Sequence, residues 1–166
     1  PAPGVMAKSV QIVSAVIYDA AKDEMFYAEK GMGAWLNDSN RLRVSGRNRM
    51  IEAIFATGLP FGGRADLPET LQDLARLLPA CAGVRRWGSA ALDMAYVAAG
   101  RYDGFWERRL NAWDLAAGVI ILREAGGLNA LMDILVSSER GADAGLLEPV
   151  CTTLANLCDD DGDDCD

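Results

Sequence analysis

The stretch LNAWDLAAGVIILREAGG, Leu110 to Gly127, constrains the fold more than any other part of the chain. Trp113, Ala116, Ala117, Val119, Ile120 and Leu122 are spread over its turns, so a helix drawn from it is apolar nearly all round. Such a helix has no face to give to water and is expected to lie buried between layers of other structure. Its carboxylate near the start, Asp114, stands three residues after Asn111. At that spacing N-A-W-D reads as a capping box, with the carboxylate accepting the backbone N–H of the capping residue. Negative charge there also suits the positive end of the helix dipole. A second reading stays open: a carboxylate at a buried helix end is desolvated unless something pairs with it, and a bound metal ion would serve.

The residues upstream supply the layers. VSAVIY (Val13 to Tyr18) and EMFYAE (Glu24 to Glu29) are rich in branched and aromatic residues and flank a polar stretch, which predicts a hairpin. Gly31 and Gly33 then allow a change of direction before AWLN, and RLRVS (Arg41 to Ser45) alternates like a further strand. Past Arg49 the rhythm changes. EAIFATG reads as a strand, LPETLQDLARLLPAC (Leu67 to Cys81) as a helix with Leu71, Leu74, Leu77 and Leu78 on its apolar side, GVRRWG as a strand, SAALDMAYVAAG as a helix and YDGFWE as a strand. A small antiparallel sheet followed by alternating strands and helices predicts an α/β fold built in layers. After Gly127 two short amphipathic helices are expected, LNALMDILVSS and LLEPVCTTLANLC, around a polar linker. The closing DDDGDDCD reads as a solvated, disordered tail. The expected organisation is therefore a main domain over 1–127, a helical extension over 128–158 and an acidic tail over 159–166.

Composition narrows the function. A chain of 166 residues suits one main globular unit, and no apolar run reaches the ~20 residues of a membrane span. Net charge is −8, but six aspartates crowd the last eight residues, so no basic face for a phosphate backbone is expected and nucleic acid is not the expected partner. The first residues show no basic-then-apolar secretory pattern, and a cytoplasmic location is expected. Cys81, Cys151, Cys158 and Cys165 form no C-x-x-C pair, which disfavours zinc and dithiol redox chemistry. There is no histidine. Ser-His-Asp and Cys-His nucleophile pairs and imidazole metal ligands are thereby excluded, and any catalysis must run on carboxylates, hydroxyls, lysines or an oxygen-bound cation such as magnesium.

Two further stretches could carry chemistry. In W-G-S-A-A-L, Trp87 to Leu92, a strand turns into a helix. Gly88 gives room for close backbone approach, Ser89 can cap, and the free N–H groups of the helix start could receive an anion, or Ser89 could be an ordinary cap with no ligand. Glu107 ends YDGFWE seven residues before Asp114; if a short loop joins strand to helix, both carboxylates lie at the sheet end where α/β folds place ligands. The other reading of Glu107 is a surface salt bridge to Arg108 or Arg109.

Together these residues resemble a known family. WDLAAGVIILREAGG (Trp113 to Gly127) is similar, without a gap, to the C-terminal signature of the inositol monophosphatase family. GVRRWGSAALDMAYVAAGRYDGFWER (Gly83 to Arg108), VIYDAAKDEMFYAEKGMGAWLN and RLRVS resemble the stretches that precede it. The resemblance runs from about Val10 to Gly127. It implies a layered sandwich of helices and sheets and a magnesium-dependent phosphomonoesterase acting on inositol monophosphates or similar small phosphate esters, commonly as a homodimer. Carried over by motif, it implies Asp114 as a Mg2+ ligand, Glu107 as a contact to a sugar or inositol hydroxyl, and Gly88, Ser89 and Ala90 as lining of the substrate pocket. The family's other metal ligands come from a G-E-E stretch and a D-P-x-D-G-T motif N-terminal to the hairpins, and neither occurs in this sequence. A single carboxylate cannot assemble a multi-ion site, so the chain reads as a truncated family domain, impaired or inactive on its own. The text after Gly127 is unlike the family and faintly resembles armadillo-type helical repeats. The alternative is a non-catalytic protein-interaction module that uses this helical extension.

Overall fold

A computed structural model of the chain describes residues 11–60, 67–108 and 110–127. The helices, linker and tail expected over 128–166 lie outside the described residues. Four strands open the fold: β1 (Ser14–Asp19), β2 (Glu24–Glu29), β3 (Gly33–Leu36) and β4 (Asn40–Arg41), paired antiparallel in chain order. The β1–β2 turn is set locally, because the Asp19 carboxylate accepts the Ala21 N–H at 3.0 Å and Asp23 takes a positive φ of 55°. The β2–β3 turn is held from a distance: Gly31 and Gly33 each donate a backbone N–H to the Glu124 carboxylate at 2.8 Å.

The expected strand over Arg41 to Ser45 is cut short, since β4 keeps only Asn40 and Arg41. Leu42 still bonds the Ala34 carbonyl at 2.8 Å, but Val44 N–H already reaches Ala125 O at 3.3 Å, so the chain has left the sheet for the end of the last helix.

A second sheet is parallel, in the order β6 (Gly83–Arg85), β5 (Ile54–Thr57), β7 (Gly104–Trp106). Helices α1 (Leu67–Leu77), α2 (Ala90–Ala98) and α3 (Ala112–Glu124) fill the spaces around it. Alternation along β5 separates two cores. Ala56 joins Phe26, Ala28, Ala34, Tyr96, Ile120 and Ile121 in the larger one, where α2 and α3 meet the first sheet. Phe55 points the other way, to Leu77, Cys81 and Trp106, with the Phe55 and Trp106 rings edge to face at 6.3 Å. The layers thus run antiparallel sheet, α2 with α3, parallel sheet, α1, as the α/β sandwich reading requires.

Two helical faces differ from expectation. Of the leucines assigned to the apolar side of α1, Leu77 is buried and Leu74 packs on the core, whereas Leu71 and Leu78 are exposed. The buried side of α1 is Thr70, Asp73 and Leu77, because Asp73 turns inward to a two-pronged pair with Arg108, whose Nε and Nη2 donate at 2.8 and 2.9 Å. Arg108 is therefore engaged by Asp73, across the sheet. In α3 only Gly118 to Ile121 are buried, and Trp113 is 79% exposed, so burial between layers holds for the second half of the helix.

Gly118 sets the α2–α3 spacing. A Cβ there would fall 2.6 Å from Met94 Sδ and 2.7 Å from Met94 Cβ. Gly118→Ala is accordingly expected to cost about 1–3 kcal/mol through overpacking, read as a lowered midpoint in urea unfolding. An unchanged midpoint would show that the two helices are not held at this distance.

Candidate active site

Because β5, β6 and β7 are parallel, the segments leaving β6 and β7 emerge at one edge of the sheet, and α2 and α3 begin there. Every residue singled out in the sequence lies on those two segments or in the helix turns that follow.

After Arg85 the chain turns through Arg86, Trp87 and Gly88. Gly88 has φ +90°, and a Cβ there would meet nothing closer than 3.9 Å, so glycine is required for conformation and not for space. Ser89 caps α2, its hydroxyl accepting the Leu92 N–H at 3.4 Å, and Ala90 is the first helical residue. Trp87 is fixed from below: its indole N–H donates to the Tyr102 hydroxyl, and its ring stands edge-on to Tyr96 at 6.1 Å. Lys22 sits 4.4 Å from the Trp87 ring centre and 4.5 Å from that of Tyr96, and donates to the Tyr96 hydroxyl, which itself donates to Asp19 at 2.7 Å. The hydrogen bond from Tyr96 holds the Asp19 carboxyl below its usual range, and the bond to Tyr96 raises the Lys22 ammonium. The first hairpin thereby braces the loop that carries Gly88 and Ser89.

Glu107 follows β7. Thr57 and Trp106 are paired in register, and the Thr57 hydroxyl donates to Trp106 O at 2.8 Å, which brings Gly58 beside Glu107. A Cβ on Gly58 would fall 1.9 Å from the Glu107 carboxyl carbon. The Glu107 side chain therefore lies across Gly58, in a position that any other residue at 58 would displace.

Asp114 occupies the first turn of α3, where its Oδ2 accepts the Asn111 N–H at 2.9 Å. The capping-box reading is met. That bond and a longer one from the Asn111 side chain, at 3.4 Å, both fall on Oδ2, which leaves Oδ1 unengaged by the cap.

The sequence reading passed over Asp93, which sits inside the apolar text of α2. It is 0% exposed, and neither carboxyl oxygen has a hydrogen-bond partner among the described residues. Burial first, and the charge of Glu107 second, push this carboxyl up to about 7, against the opposing pull of Arg86. A lone aspartate in a helix with no other charge was the available signal.

Magnesium does not find a complete seat here. Among the described residues no group of three or more histidine, cysteine, aspartate or glutamate side chains could hold a metal ion. Asp114 offers one oxygen at the edge, and further ligands would have to come from outside these residues. No helix of the described residues is long and apolar enough to cross a membrane.

Comparison with known proteins agrees with this architecture. The profile of the Inositol monophosphatase family matches residues 5–136. An inositol-1-monophosphatase of Rhizobium meliloti (strain 1021) is 53% identical over 117 residues, 70% of this chain and 44% of the relative. A protein named Nus factor SuhB from Pseudomonas aeruginosa is 49% identical over 116 residues, 69% of this chain and 42% of the relative. Among solved structures, the extragenic suppressor protein suhB from Bartonella henselae superposes with a TM-score of 0.66 at 49% identity, over 70% of this chain and 44% of that one. The chain spans less than half the length of these relatives. With the family profile covering most of its residues and the layered fold in place, the chain belongs to the inositol monophosphatase family.

Proposed function

We propose that this chain supplies one part of a site for the magnesium-dependent hydrolysis of inositol monophosphate or a related small phosphate monoester, and that it is inactive or weakly active without the rest of the family's length. The observation that carries the reading is the gathering of Glu107 on Gly58, the Ser89-capped start of α2 and Asp114 at the start of α3 along one sheet edge. In this reading Glu107 accepts a hydrogen bond from a ring hydroxyl of the substrate. Gly88, Ser89 and Ala90 line the pocket, with the unsatisfied N–H groups of the α2 start facing an anionic or polar substituent. Asp114 contributes one ligand to Mg2+, and a carboxylate already oriented by its own cap loses little freedom on binding the ion.

Mg2+ would supply charge neutralisation and water activation. The described residues do not complete its coordination. The family's habit of pairing as homodimers extends the proposal to a second copy in the complete enzyme.

The test is phosphate release from inositol 1-phosphate across a magnesium titration. The chain alone is expected to show no magnesium-dependent release. Joined to the part of the Rhizobium relative that it does not match, it is expected to gain such release, and Asp114→Asn to lower it by about 10²-fold or more, since even outer-sphere partners of a metal account for 10–100-fold. A folded fusion with no magnesium-dependent release would overturn the proposal. The second reading is a non-catalytic protein-interaction module that uses the helical C-terminal extension; relatives at 47–49% identity bear the name Nus factor SuhB and not that of a phosphatase.

A further inference from the structure

The proposed chemistry leaves Asp93 unused. This residue stands one helical turn after the Ser89 cap, where its N–H bonds Ser89 O at 2.9 Å, on the helix that packs against β5 and β7. The other buried aspartates among the described residues, Asp19, Asp73 and Asp103, each accept hydrogen bonds from named donors. Neither oxygen of Asp93 has a partner among the described residues, and the side chain is sealed from water. An unpaired carboxylate is costly in such a place, so the neutral acid is the form that suits it.

Two charged groups act on this carboxyl. Glu107, half-buried and laid across Gly58 where β5 and β7 end, opposes its ionisation. Arg86 favours it, with a guanidinium 3.9 Å from where a Cβ on Gly88 would stand. Burial first and Glu107 second prevail, and push the carboxyl up to about 7. On the other elements packed against α2, Asp19 of β1 is held by Tyr96, Asp114 of α3 is held by its own cap, and α3 meets α2 where Gly118 lies against Met94. Two carboxyls that share a dry site divide one charge: the sealed acid takes the proton and the one at the edge keeps the charge. Of the two groups acting on Asp93, Arg86 offers donors only. The acceptor within reach of the Asp93 O–H is therefore Glu107.

We propose that Asp93 is a positioning residue for Glu107: its O–H donates to one carboxylate oxygen of Glu107 as a substrate hydroxyl docks, and so fixes the other oxygen to accept that hydroxyl. The inference rests on the reading of Glu107 as a hydroxyl acceptor. Bonds of this kind tighten when the substrate is in place, which fits an acid without a partner in the unliganded chain. The test compares inositol 1-phosphate with p-nitrophenyl phosphate, which has no hydroxyl, in the chain joined to the part of the Rhizobium relative that it does not match. Asp93→Leu is expected to raise KM about tenfold for inositol 1-phosphate and less than about twofold for p-nitrophenyl phosphate. Asp93→Asn keeps a donor and is expected to restore KM for inositol 1-phosphate to within about threefold of native. An equal rise for both substrates, or no rise for either, would overturn the inference. A second measurement needs no activity. In the 166-residue chain the NMR resonance of the Glu107 carboxyl is expected to move in two steps with pH, the later one following Asp93, and Asp93→Asn is expected to remove that later step. Superimposable Glu107 curves in the chain and the variant would also overturn it. An inactive fusion together with the two-step curve upholds the Asp93–Glu107 pairing and overturns only the proposed chemistry.

Discussion

Asp93→Asn is expected to remove a loss of stability that the native chain undergoes between about pH 4 and pH 7. Asp93 is fully buried with both oxygens unpartnered, and its carboxyl is pushed up to about 7 from the 3.8 of an ordinary aspartate. The folded state therefore holds a proton that the unfolded chain releases. Folding is helped by the neutral acid below about pH 4 and is progressively penalised as pH rises through the folded value, with the full penalty in place above it. A shift of about three units corresponds to roughly 4 kcal/mol. Asparagine keeps the shape and cannot ionise. The stability difference between mutant and native chain, taken from urea unfolding, should thus grow in the mutant's favour by about 4 kcal/mol from pH 4 to pH 8. Asp19 and Glu24 act in the opposite sense and lower down, because hydrogen bonds from Tyr96 and Arg101 depress their carboxyls, so their contribution is lost only as pH falls below the ordinary carboxylate range. Two curves that run parallel from pH 4 to pH 8 would show that Asp93 finds a partner in solution.

The second large effect is expected at Asp103. Its side chain is wholly buried. It accepts the Ile54 N–H at 2.7 Å and Arg47 Nη1 at 3.0 and 3.2 Å, and also the Ser45 hydroxyl, while its own N–H bonds Ile54 O at 2.8 Å. One carboxylate thus ties the segment after β4 to the first residue of β5. Asp103→Ala strands the Ile54 N–H and removes three charge-assisted bonds, at an expected cost of about 3–5 kcal/mol. Asp103→Asn retains one acceptor oxygen and should cost about half as much. Urea midpoints would separate the two variants, and an alanine variant within ~0.5 kcal/mol of native would put the join elsewhere.

Sequence reading reached most of the layered order, and the residues explain where it stopped. Ser89 and Asp114 were legible as caps because their partners, Leu92 and Asn111, lie three residues away, within reach of local spacing rules. The seat of Glu107 was not, since it depends on Gly58, which arrives from a different strand. Nor was the partner of Arg108 legible: Asp73, 35 residues upstream, takes that guanidinium with two short bonds. Leucine spacing found the start of α1 but ran four residues past its end at Leu77 and rotated its buried face, because periodicity weighs side chains by apolarity and cannot know that an inward aspartate will be paired. Asp93 was marked in the sequence only as the one charge in an apolar helix, and that its carboxyl is left without a partner depends on packing that local spacing does not give.

The Glu124 clamp has a consequence in time. Its two N–H donors, Gly31 and Gly33, precede it by 93 and 91 residues, so the β2–β3 turn leaves the ribosome long before the carboxylate that fastens it. At translation rates of about 5–20 residues per second the turn waits roughly 5–20 seconds, unfastened, for α3 to be made. The antiparallel sheet is therefore among the first parts of the described chain to be synthesised and among the last to be locked, and a pause in synthesis ahead of Glu124 would lengthen the interval in which its apolar strands stand open to other chains.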